Sequence, residues 1–252
     1  MAEESAPHKN KLEVCHSPAL FDAYFDDPDC VVVVIDVFRA TSAMVTAFAH
    51  GIKEMIPVAE LDEALEYQKK GFEVAAERKG EKLDGFKLGN SPFDYMSEDI
   101  KDASIVITTT NGTQAVEKAK NANHLLIGSF LNLSAICDKL EELDKDVILL
   151  CAGWKNRFNL EDTLFAGAVV AELTKRNIRF NDLSDSAISA KFIYNHAKEN
   201  LFKFLENSSH RKRLSRLNME EDILFCLTTD KYSIVPELVN GKIILPASKV
   251  EA

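Results

Sequence analysis

VVVVIDVFRATSA, residues 31–43, is the stretch of sequence that decides the fold. Its first five residues are aliphatic and do not alternate with polar residues, which predicts a strand that is buried on both faces. Asp36 and Arg39 follow this run, and Thr41 and Ser42 begin a helical pattern. A doubly buried strand that leads directly into a helix is typical of an α/β domain with a largely parallel sheet.

The rest of the chain repeats this alternation of short apolar runs and helical patterns. Strands are predicted at Leu12–Cys15, Val31–Ile35, Met55–Val58, Val74–Ala76, Ile105–Thr109, Leu125–Ile127 and Val147–Cys151. Helices are predicted at about Thr41–His50, Asp62–Lys70, Gly112–Lys120, Leu133–Leu143 and Leu160–Arg176.

Two segments depart from the alternation. The glycine-rich segment Ala76–Tyr95 is predicted to be a long loop, and loops of this length inside a compact domain are often functional. The C-terminal part is mainly helical and ends in KYSIVPELVNGKIILPA, where Asn240-Gly241 predicts a hairpin turn. We therefore predict one domain over residues 1–252, with a sheet core over about 11–180 and a helical extension with a terminal hairpin over about 181–252.

Composition limits the class of function. The chain has 252 residues, of which 46% are hydrophobic and 28% charged, as in ordinary soluble globular proteins. Its 30 Lys and Arg and 40 Asp and Glu give a formal charge of −10, which argues against binding of nucleic acid or anionic membranes. A small anion can still be held by a few local cations and helix N-termini. A homodimer is a possible assembly that no motif requires.

The cysteines and the apolar runs bear on the compartment. Five scattered cysteines with no CxxC pair favour a reduced protein over a disulfide framework or a zinc site. No apolar stretch approaches the roughly 18 residues of a membrane-helix candidate. The opening segment MAEESAPHKN has no apolar region of the kind found in secretory signals. We therefore expect a cytoplasmic protein.

Carboxylates follow the predicted strands, where parallel α/β sheets bind their ligands. Asp36 follows the first quoted strand, Glu77 follows VAA, and Glu161 and Asp162 begin the helix after VILLC. An ionised carboxylate after a buried strand needs a partner, and oxygen ligands suit a hard cation such as Mg²⁺. As alternatives, Asp36 caps its helix or pairs with Arg39, and Glu161 and Asp162 only favour the N-terminus of their helix electrostatically.

TTTNGT, residues 108–113, is the strongest candidate for an anion-binding loop. Hydroxyl and amide groups precede Gly112, and a helix follows, so successive N–H groups can turn toward one anion. An ordinary helix cap with a glycine turn is the alternative. Asn90 and Ser91 close the glycine-rich loop and are weaker candidates. Neither GxxxxGK[ST] nor GxGxxG occurs, so the known nucleotide-binding loops have no support.

A cysteine nucleophile is the competing interpretation. Cys151 and Arg157 have the C-x5-R spacing of cysteine-dependent phosphatases, in which a thiolate attacks phosphorus. The intervening Trp154 and Lys155 are bulky for such a loop, and buried strand cysteines are usually inert. The histidines form no metal-binding pair, and the basic run at 210–213 is predicted to be a solvated helix face.

Six blocks of sequence, in this order, resemble the 2-phosphosulfolactate phosphatase family. They are IDVFRATSA, AERKGEKLDGFKLGNSP, TTTNGT, GSFLN, CAG and LEDTLFAG, and the resemblance runs from about residue 12 to the C-terminal hairpin. It implies Mg²⁺-dependent hydrolysis of the phosphate ester of a short sulfonated acid, which gives sulfolactate and phosphate in the coenzyme M route. It also implies a three-layer α/β/α fold, with a largely parallel or mixed sheet that the helical C-terminal extension follows.

The residues and the resemblance together predict a set of roles. Asp36, Glu77 and Asp162 are predicted to be catalytic and, with Glu161, to ligate Mg²⁺. A small anionic phosphate ester is the predicted partner, bound by Arg39, Arg78, Asn90, Ser91, Thr110, Asn111, Gly112, Thr113 and Arg157. The arginines are the candidates for the carboxylate and sulfonate of that ester.

Two questions stay open at this point. Either water or Asp36 attacks phosphorus; the DxDx[TV] signature of haloacid-dehalogenase-type phosphatases fails here, because Phe38 stands where it needs its second aspartate. A protein that binds an anionic metabolite without turning it over is a third hypothesis, from a different functional class.

Overall fold

The structure is a computed structural model that describes residues 10–176, 180 and 183–246. The opening segment considered above and the last residues of the tail lie outside the described residues. The strands are β1 Leu12–Cys15, β2 Val31–Ile35, β3 Glu54–Pro57, β4 Glu73–Arg78, β5 Glu81–Lys82, β6 Ser104–Thr108, β7 His124–Gly128, β8 Val147–Cys151, β9 Glu237–Val239 and β10 Lys242–Ile244. The helices are α1 Ala40–Ala49, α2 Leu61–Lys69, α3 Gly112–Ala119, α4 Leu133–Leu143, α5 Leu160–Lys175, α6 Asp185–Ala197, α7 Leu201–Phe204, α8 Ser209–Arg216 and α9 Glu220–Cys226.

The predicted α/β class and its elements are confirmed. Every strand and helix predicted for the sheet core is present, and no end differs by more than two residues. The prediction of a long loop over Ala76–Tyr95 is wrong in part. β4 continues through Arg78, and Lys79 and Gly80, with φ of 59° and 90°, form a tight turn into β5. Two-residue hairpins favour this left-handed pair, so the segment begins as a hairpin.

The sheet has two groups of strands joined by the C-terminal hairpin. Its order is β1-β8-β2-β7-β9-β10-β3-β6-β4-β5. The first four strands are mutually parallel, and so are β3, β6 and β4. The predicted hairpin β9–β10 lies between the groups and pairs with each through one residue pair, Leu126 with Glu237 and Ile243 with Met55.

The two groups of strands run in opposite directions. Three successive antiparallel pairings, β7–β9, β9–β10 and β10–β3, reverse the strand direction between them. In a flat sheet the carboxyl ends of β2 and β6 would therefore lie at opposite edges.

The apolar clusters show how the strand ends meet nonetheless. Val32 and Val34 on one face of β2 share a core with α1, α3 and the β6 residues Ile105 and Ile107. The other face of β2 packs against α4, α5 and α6, and Val106 on the other face of β6 lies in the cluster that contains Ala64 of α2. The sheet thus curls around α1 and α3, and each half keeps the predicted three-layer α/β/α arrangement. This curl brings the ends of β2 and β6 together.

The helical extension packs against the first half of the sheet. Leu205, Leu214, Ile223 and Cys226 belong to the same cluster as one face of β2, together with Phe38. α8 and α9 are thereby held over the residues that follow β2. In the described part of the chain, no helix is both long enough and apolar enough to cross a membrane.

Candidate active site

An open cleft with about 330 Å³ of empty space lies where the ends of β2, β4 and β6 meet α8. It contains six of the residues predicted from the sequence, namely Asp36, Arg39, Glu77, Asn90, Thr110 and Asn111. It also contains residues that were not predicted, which are Phe38, Lys79, Gly80, Trp154, His210, Arg213 and Leu214.

Two helices begin at this cleft without a side-chain cap. α1 starts after Arg39 and α3 starts after Asn111, and neither of these residues caps its helix with a side-chain hydrogen bond. The N-terminal amides of a helix carry a partial positive charge and favour an anion. The two helix starts lie close together, because a Cβ built on Gly112 would be 2.6 Å from the Cβ of Ala40. Only glycine fits at this position.

Asp36 places an unpaired carboxylate in the cleft. The residue is 4% exposed, yet no described residue donates a hydrogen bond to its carboxylate oxygens. Its backbone is fixed, since its N–H donates to Thr41 Oγ1 at 3.0 Å and its carbonyl accepts from the Thr41 amide. Burial, followed by the nearby charge of Asp162, raises the pKa of Asp36 far above its usual range. The predicted ion pair with Arg39 does not form.

Glu77 differs from Asp36 because its carboxylate is already hydrogen-bonded. Oε1 accepts from the Gly80 amide in the turn after β4, and Oε2 accepts from the Thr110 amide at 3.1 Å. The Thr110 hydroxyl donates to the same carboxylate at 3.2 Å. Glu77 therefore lines the cleft and also ties the anion-loop candidate to the β4–β5 turn.

Asp162 lies behind the cleft and its two oxygens are occupied. Oδ1 accepts from the Val37 amide at 2.9 Å, and Oδ2 accepts from the Gly153 amide at 3.0 Å and from Asn159 Nδ2 at 2.9 Å. The side chain has no exposed surface. The cleft gives no support to the prediction that Asp162 ligates metal, because Asp162 is not among the residues that line it. Asp162 instead fixes the segments that follow β2 and β8.

The anion-loop candidate is only partly open. Thr109 and Thr113 bond reciprocally, since each backbone N–H donates to the other's hydroxyl, at 3.2 Å and 3.1 Å. The predicted role of Thr113 in phosphate binding therefore does not fit, because its amide and hydroxyl are both used inside the loop. The amides of Asn111 and Gly112 donate to no other described residue, so they are the donors available to an anion.

The predicted substrate-binding arginines are engaged elsewhere or lie outside the cleft. Arg39 is buried, pairs with Asp222 of α9 and donates to the Gly80 carbonyl at 2.6 Å. Arg78 donates to the Thr108 hydroxyl at 3.0 Å and to the Glu77 carbonyl at 2.7 Å, so it braces β4 against β6. Arg157 is exposed and is not part of the cleft lining.

Asn90 and Ser91 were both predicted to bind the substrate, but only Asn90 lines the cleft. Asn90 is 6% exposed, and its buried Oδ1 has no hydrogen-bond partner among the described residues. Ser91 does not face the cleft; its hydroxyl accepts from the Phe93 amide at 3.3 Å and caps the short helix Pro92–Tyr95. An orphaned buried oxygen that faces a cleft is a candidate ligand atom.

α8 supplies a wall of the cleft that the sequence interpretation missed. The prediction that residues 210–213 form a solvated face is wrong for His210 and Arg213, which line the cleft, although Lys212 is exposed. His210 Nδ1 lies 2.5 Å from Glu161 Oε1, and both side chains are buried. The sequence did carry a signal: His210, Arg213, Leu214 and Leu217 share one helical face, which is apolar at its second turn.

Glu161 is buried and does not line the cleft. Its Oε1 is bonded to His210, but its Oε2 is buried and has no partner among the described residues. The carboxyl groups of Asp36, Glu77, Glu161 and Asp162 thus lie near one another. They influence one another, because Asp162, Glu77 and Glu161 all act to raise the pKa of Asp36.

The cysteine alternative does not fit the structure. Cys151 is the last residue of β8, is fully buried and does not line the cleft. Burial raises the pKa of its thiol well above the usual value, so the thiolate is disfavoured. Arg157, the other half of the spacing, forms a tight turn with Trp154 through backbone hydrogen bonds of 3.0 Å in each direction.

The sequence of this chain is similar to those of one protein family. Residues 15–241 match the family described as 2-phosphosulpholactate phosphatase. A protein of Thermotoga maritima named probable 2-phosphosulfolactate phosphatase is 46% identical over 213 residues, which cover 84% of this chain and 91% of that protein. Proteins with the same name are 41% identical in Caldanaerobacter subterraneus subsp. tengcongensis (83% and 88% covered) and 39% identical in Clostridium novyi (84% and 90% covered).

Proposed function

The chain belongs to the 2-phosphosulpholactate phosphatase family, and from this membership and the geometry of the cleft we propose that it hydrolyses 2-phosphosulfolactate to sulfolactate and phosphate with the help of Mg²⁺. One observation carries the proposal: the unpaired Asp36 carboxylate faces a cleft at which α1 and α3 begin without side-chain caps. A carboxylate beside open helix N-termini can bind a cation and a phosphate together.

The acidic character of the cleft is the reason to include a metal. A phosphate ester with two further acidic groups carries several negative charges, and Asp36 and Glu77 would repel it if no cation stood between them. Burial, followed by the nearby charge of Asp162, raises the pKa of Asp36, so its negative charge is disfavoured in the protein alone. A divalent cation would neutralise this charge.

The donor set fits Mg²⁺ in particular. No three His, Cys, Asp or Glu side chains within residues 10–176, 180 and 183–246 are arranged as a ready metal site. Mg²⁺ does not need one, because it keeps several waters and is usually held by one or two carboxylates and the substrate phosphate. Asp36 would be the main ligand, with Glu77 and the orphaned Asn90 Oδ1 beside it. The bound ion would neutralise phosphoryl oxygens and lower the pKa of a water molecule.

The protein's own groups would hold and orient the ester. The amides of Asn111 and Gly112, at the start of α3, are free to donate to phosphoryl oxygens. Glu77 keeps this loop in place through Thr110, and Asp162 keeps Asp36 in place through the Val37 amide. Such fixed donors stabilise developing charge without reorganising during the reaction.

The biological setting is part of the proposal. We place the reaction in the coenzyme M route, because sulfolactate is the product that the family resemblance implies there. We place the enzyme in the cytoplasm, since all five cysteines are buried and unpaired, as a reducing compartment requires.

Phosphate release from a panel of esters tests the proposal. Purified enzyme should release phosphate from 2-phosphosulfolactate in the presence of Mg²⁺, faster than from 2-phospholactate or phosphoglycolate, and thorough EDTA treatment should abolish the activity. Activity that survives EDTA would refute the metal, and a preference for another ester would refute the substrate. Ligand-induced stabilisation without any phosphate release would favour a binding protein instead.

A further inference from the structure

Arg213 is an arginine of the cleft that lies near the carboxylates of Glu77, Glu161 and Asp36 but is bonded to none of them. Within the part of the chain that the structure describes, it forms no ion pair, whereas Arg39 is paired with Asp222. Its side chain is half-buried, and its Nε is buried without a hydrogen-bond partner among the same residues. A buried guanidinium N–H that has no acceptor costs free energy. A ligand that supplied acceptors would remove that cost.

The guanidinium of Arg213 lies over an aromatic ring. Arg213 Cζ lies 4.8 Å from the centroid of the Trp154 ring. Trp154 is itself fixed, because it begins the tight turn that closes on Arg157, in which Lys155 and Asn156 have φ of 52° and 56°. A guanidinium stacked on a ring keeps its N–H edge free to bind a planar or tetrahedral oxyanion through two parallel hydrogen bonds.

Arg213 reaches the cleft from a different element than the groups of the proposed phosphate site. That site is formed by Asp36 and by the start of α3, whereas Arg213 projects from α8. α8 also contacts the β4–β5 turn, since a Cβ on Gly80 would lie 3.6 Å from Leu214. An ester held at the phosphate site would therefore meet Arg213 with a different part of its structure.

We propose that Arg213, supported by Trp154, binds the sulfonate of the substrate and so determines the preference for a sulfonated ester. This inference rests on the proposed function. It replaces Arg39, Arg78 and Arg157 as the predicted sulfonate ligands, because those side chains are paired, engaged with β6 or outside the cleft.

Three substrates test the assignment. They are 2-phosphosulfolactate, 2-phospholactate, which lacks the sulfonate, and 2-(phosphooxy)ethanesulfonate, which lacks the carboxylate. Arg213→Gln should lower kcat/KM about 10- to 100-fold for the two sulfonates, mainly through KM, and less than about 3-fold for 2-phospholactate. Arg213→Lys, which keeps the charge but not the fork, should recover part of the loss. Arg216→Gln, an exposed arginine on the same helix, should behave as wild type.

Other outcomes would overturn the inference. An equal loss on all three esters would show that Arg213 acts on the phosphate or only balances the carboxylates, and no loss would show that it binds nothing essential. Calorimetric binding of sulfolactate and lactate separates this failure from failure of the proposed function. If wild type hydrolyses none of the esters but binds sulfolactate, and Arg213→Gln weakens only that binding about 10-fold or more, the sulfonate assignment stands without the reaction; failure of wild type to bind sulfolactate would refute it.

Discussion

The Asp162 carboxylate accepts the backbone N–H of Val37 at 2.9 Å, which joins the start of α5 to the residue after Asp36. Asp162 Oδ2 also accepts from the Gly153 amide and from Asn159. One buried carboxylate thus sets the relative position of the segments that follow β2 and β8. Asp36 lines the cleft, whereas Asp162 does not. Asp162 would therefore contribute to the reaction by holding Asp36 in place.

Asp162→Asn should therefore destabilise the protein and lower kcat. In the variant, an NH2 group replaces one of the two carboxylate oxygens. Its hydrogens would face the backbone N–H of Val37 or Gly153, and two donors cannot bond to each other. We expect a loss of about 1–3 kcal/mol in the free energy of unfolding, which is the usual cost of an unsatisfied buried donor. Urea unfolding and kcat at saturating substrate measure the two effects. Unchanged stability together with lost Mg²⁺ binding would instead identify Asp162 as a direct metal ligand.

Asp36→Asn should have the opposite effect on stability while it abolishes activity. Burial, followed by the nearby charge of Asp162, raises the pKa of Asp36 in the native state above its pKa in the unfolded chain. Between these two pKa values the native state binds more protons than the unfolded state, so stability falls as pH rises. The titration of one proton changes the free energy of unfolding by at most about 2.7 kcal/mol between pH 6 and pH 8. The variant should lose part of this pH dependence in EDTA.

Urea unfolding in EDTA at pH 6 and pH 8 measures this effect, with wild type as the reference. The variant should be at least as stable as wild type at pH 8 and should have no phosphatase activity. If Asp36→Asn unfolds more easily at both pH values, then the carboxylate serves the fold as a cap or a partner, and the alternative raised from the sequence is correct.

Mg²⁺ should stabilise wild type, and more at pH 8 than at pH 6. The ion binds the ionised carboxylate, so it competes with the proton that Asp36 retains at lower pH. At a concentration 100 times its Kd, a ligand adds about 2.7 kcal/mol to the free energy of unfolding. Thermal unfolding with and without Mg²⁺ measures the shift. Asp36→Asn should show little shift, whereas Asp138→Asn, which alters an exposed ion pair with Arg176, should respond as wild type does. An equal shift in all three proteins would argue against a site at Asp36.

The parts of this fold that were predicted correctly are those specified by neighbouring residues. The uninterrupted run Val31–Ile35 defines both a buried strand and the position of Asp36 after it, and Asn240-Gly241 defines a hairpin. The place of that hairpin was not predictable, because it depends on single pairs between distant residues, such as Leu126 with Glu237. The curl of the sheet follows from that placement.

The α8 side of the cleft was missed for the same reason, since its contacts join residues that are distant in the sequence. His210 contacts Glu161, which is 49 residues away in the sequence. A basic run is usually predicted to be a solvated helix face, and here only the leucines beside it indicate that the face is buried. The roles of the predicted arginines also depend on contacts that the sequence does not show. Whether an arginine is free for a ligand depends on its nearest carboxylate, and Asp222 reaches Arg39 from α9.

Gly112→Ala should weaken both stability and catalysis, because the new methyl group would lie 2.6 Å from the Ala40 Cβ and 3.0 Å from Asp36 Oδ2. The Ala40 methyl group and the Asp36 carboxylate have little freedom to move away, so α1 and α3 must separate. This separation should lower the free energy of unfolding by about 1–3 kcal/mol. Ala40→Gly in the same chain should restore much of the stability. Chemical denaturation of the two single variants and the double variant gives the coupling energy, and simple additivity would contradict the close contact.

Cys151→Ala should retain metal-dependent activity, in contrast to what the C-x5-R spacing suggests. The thiol is buried at the end of β8, its pKa is well above the usual value, and it does not line the cleft. Removing its sulfur leaves a small cavity, which should cost about 1 kcal/mol in the free energy of unfolding and leave kcat within about 3-fold of wild type. Cys137→Ala, a buried cysteine on α4, is the matched control for the cavity. A loss of more than about 100-fold in kcat for Cys151→Ala alone, with stability like that of the control, would restore the thiolate mechanism.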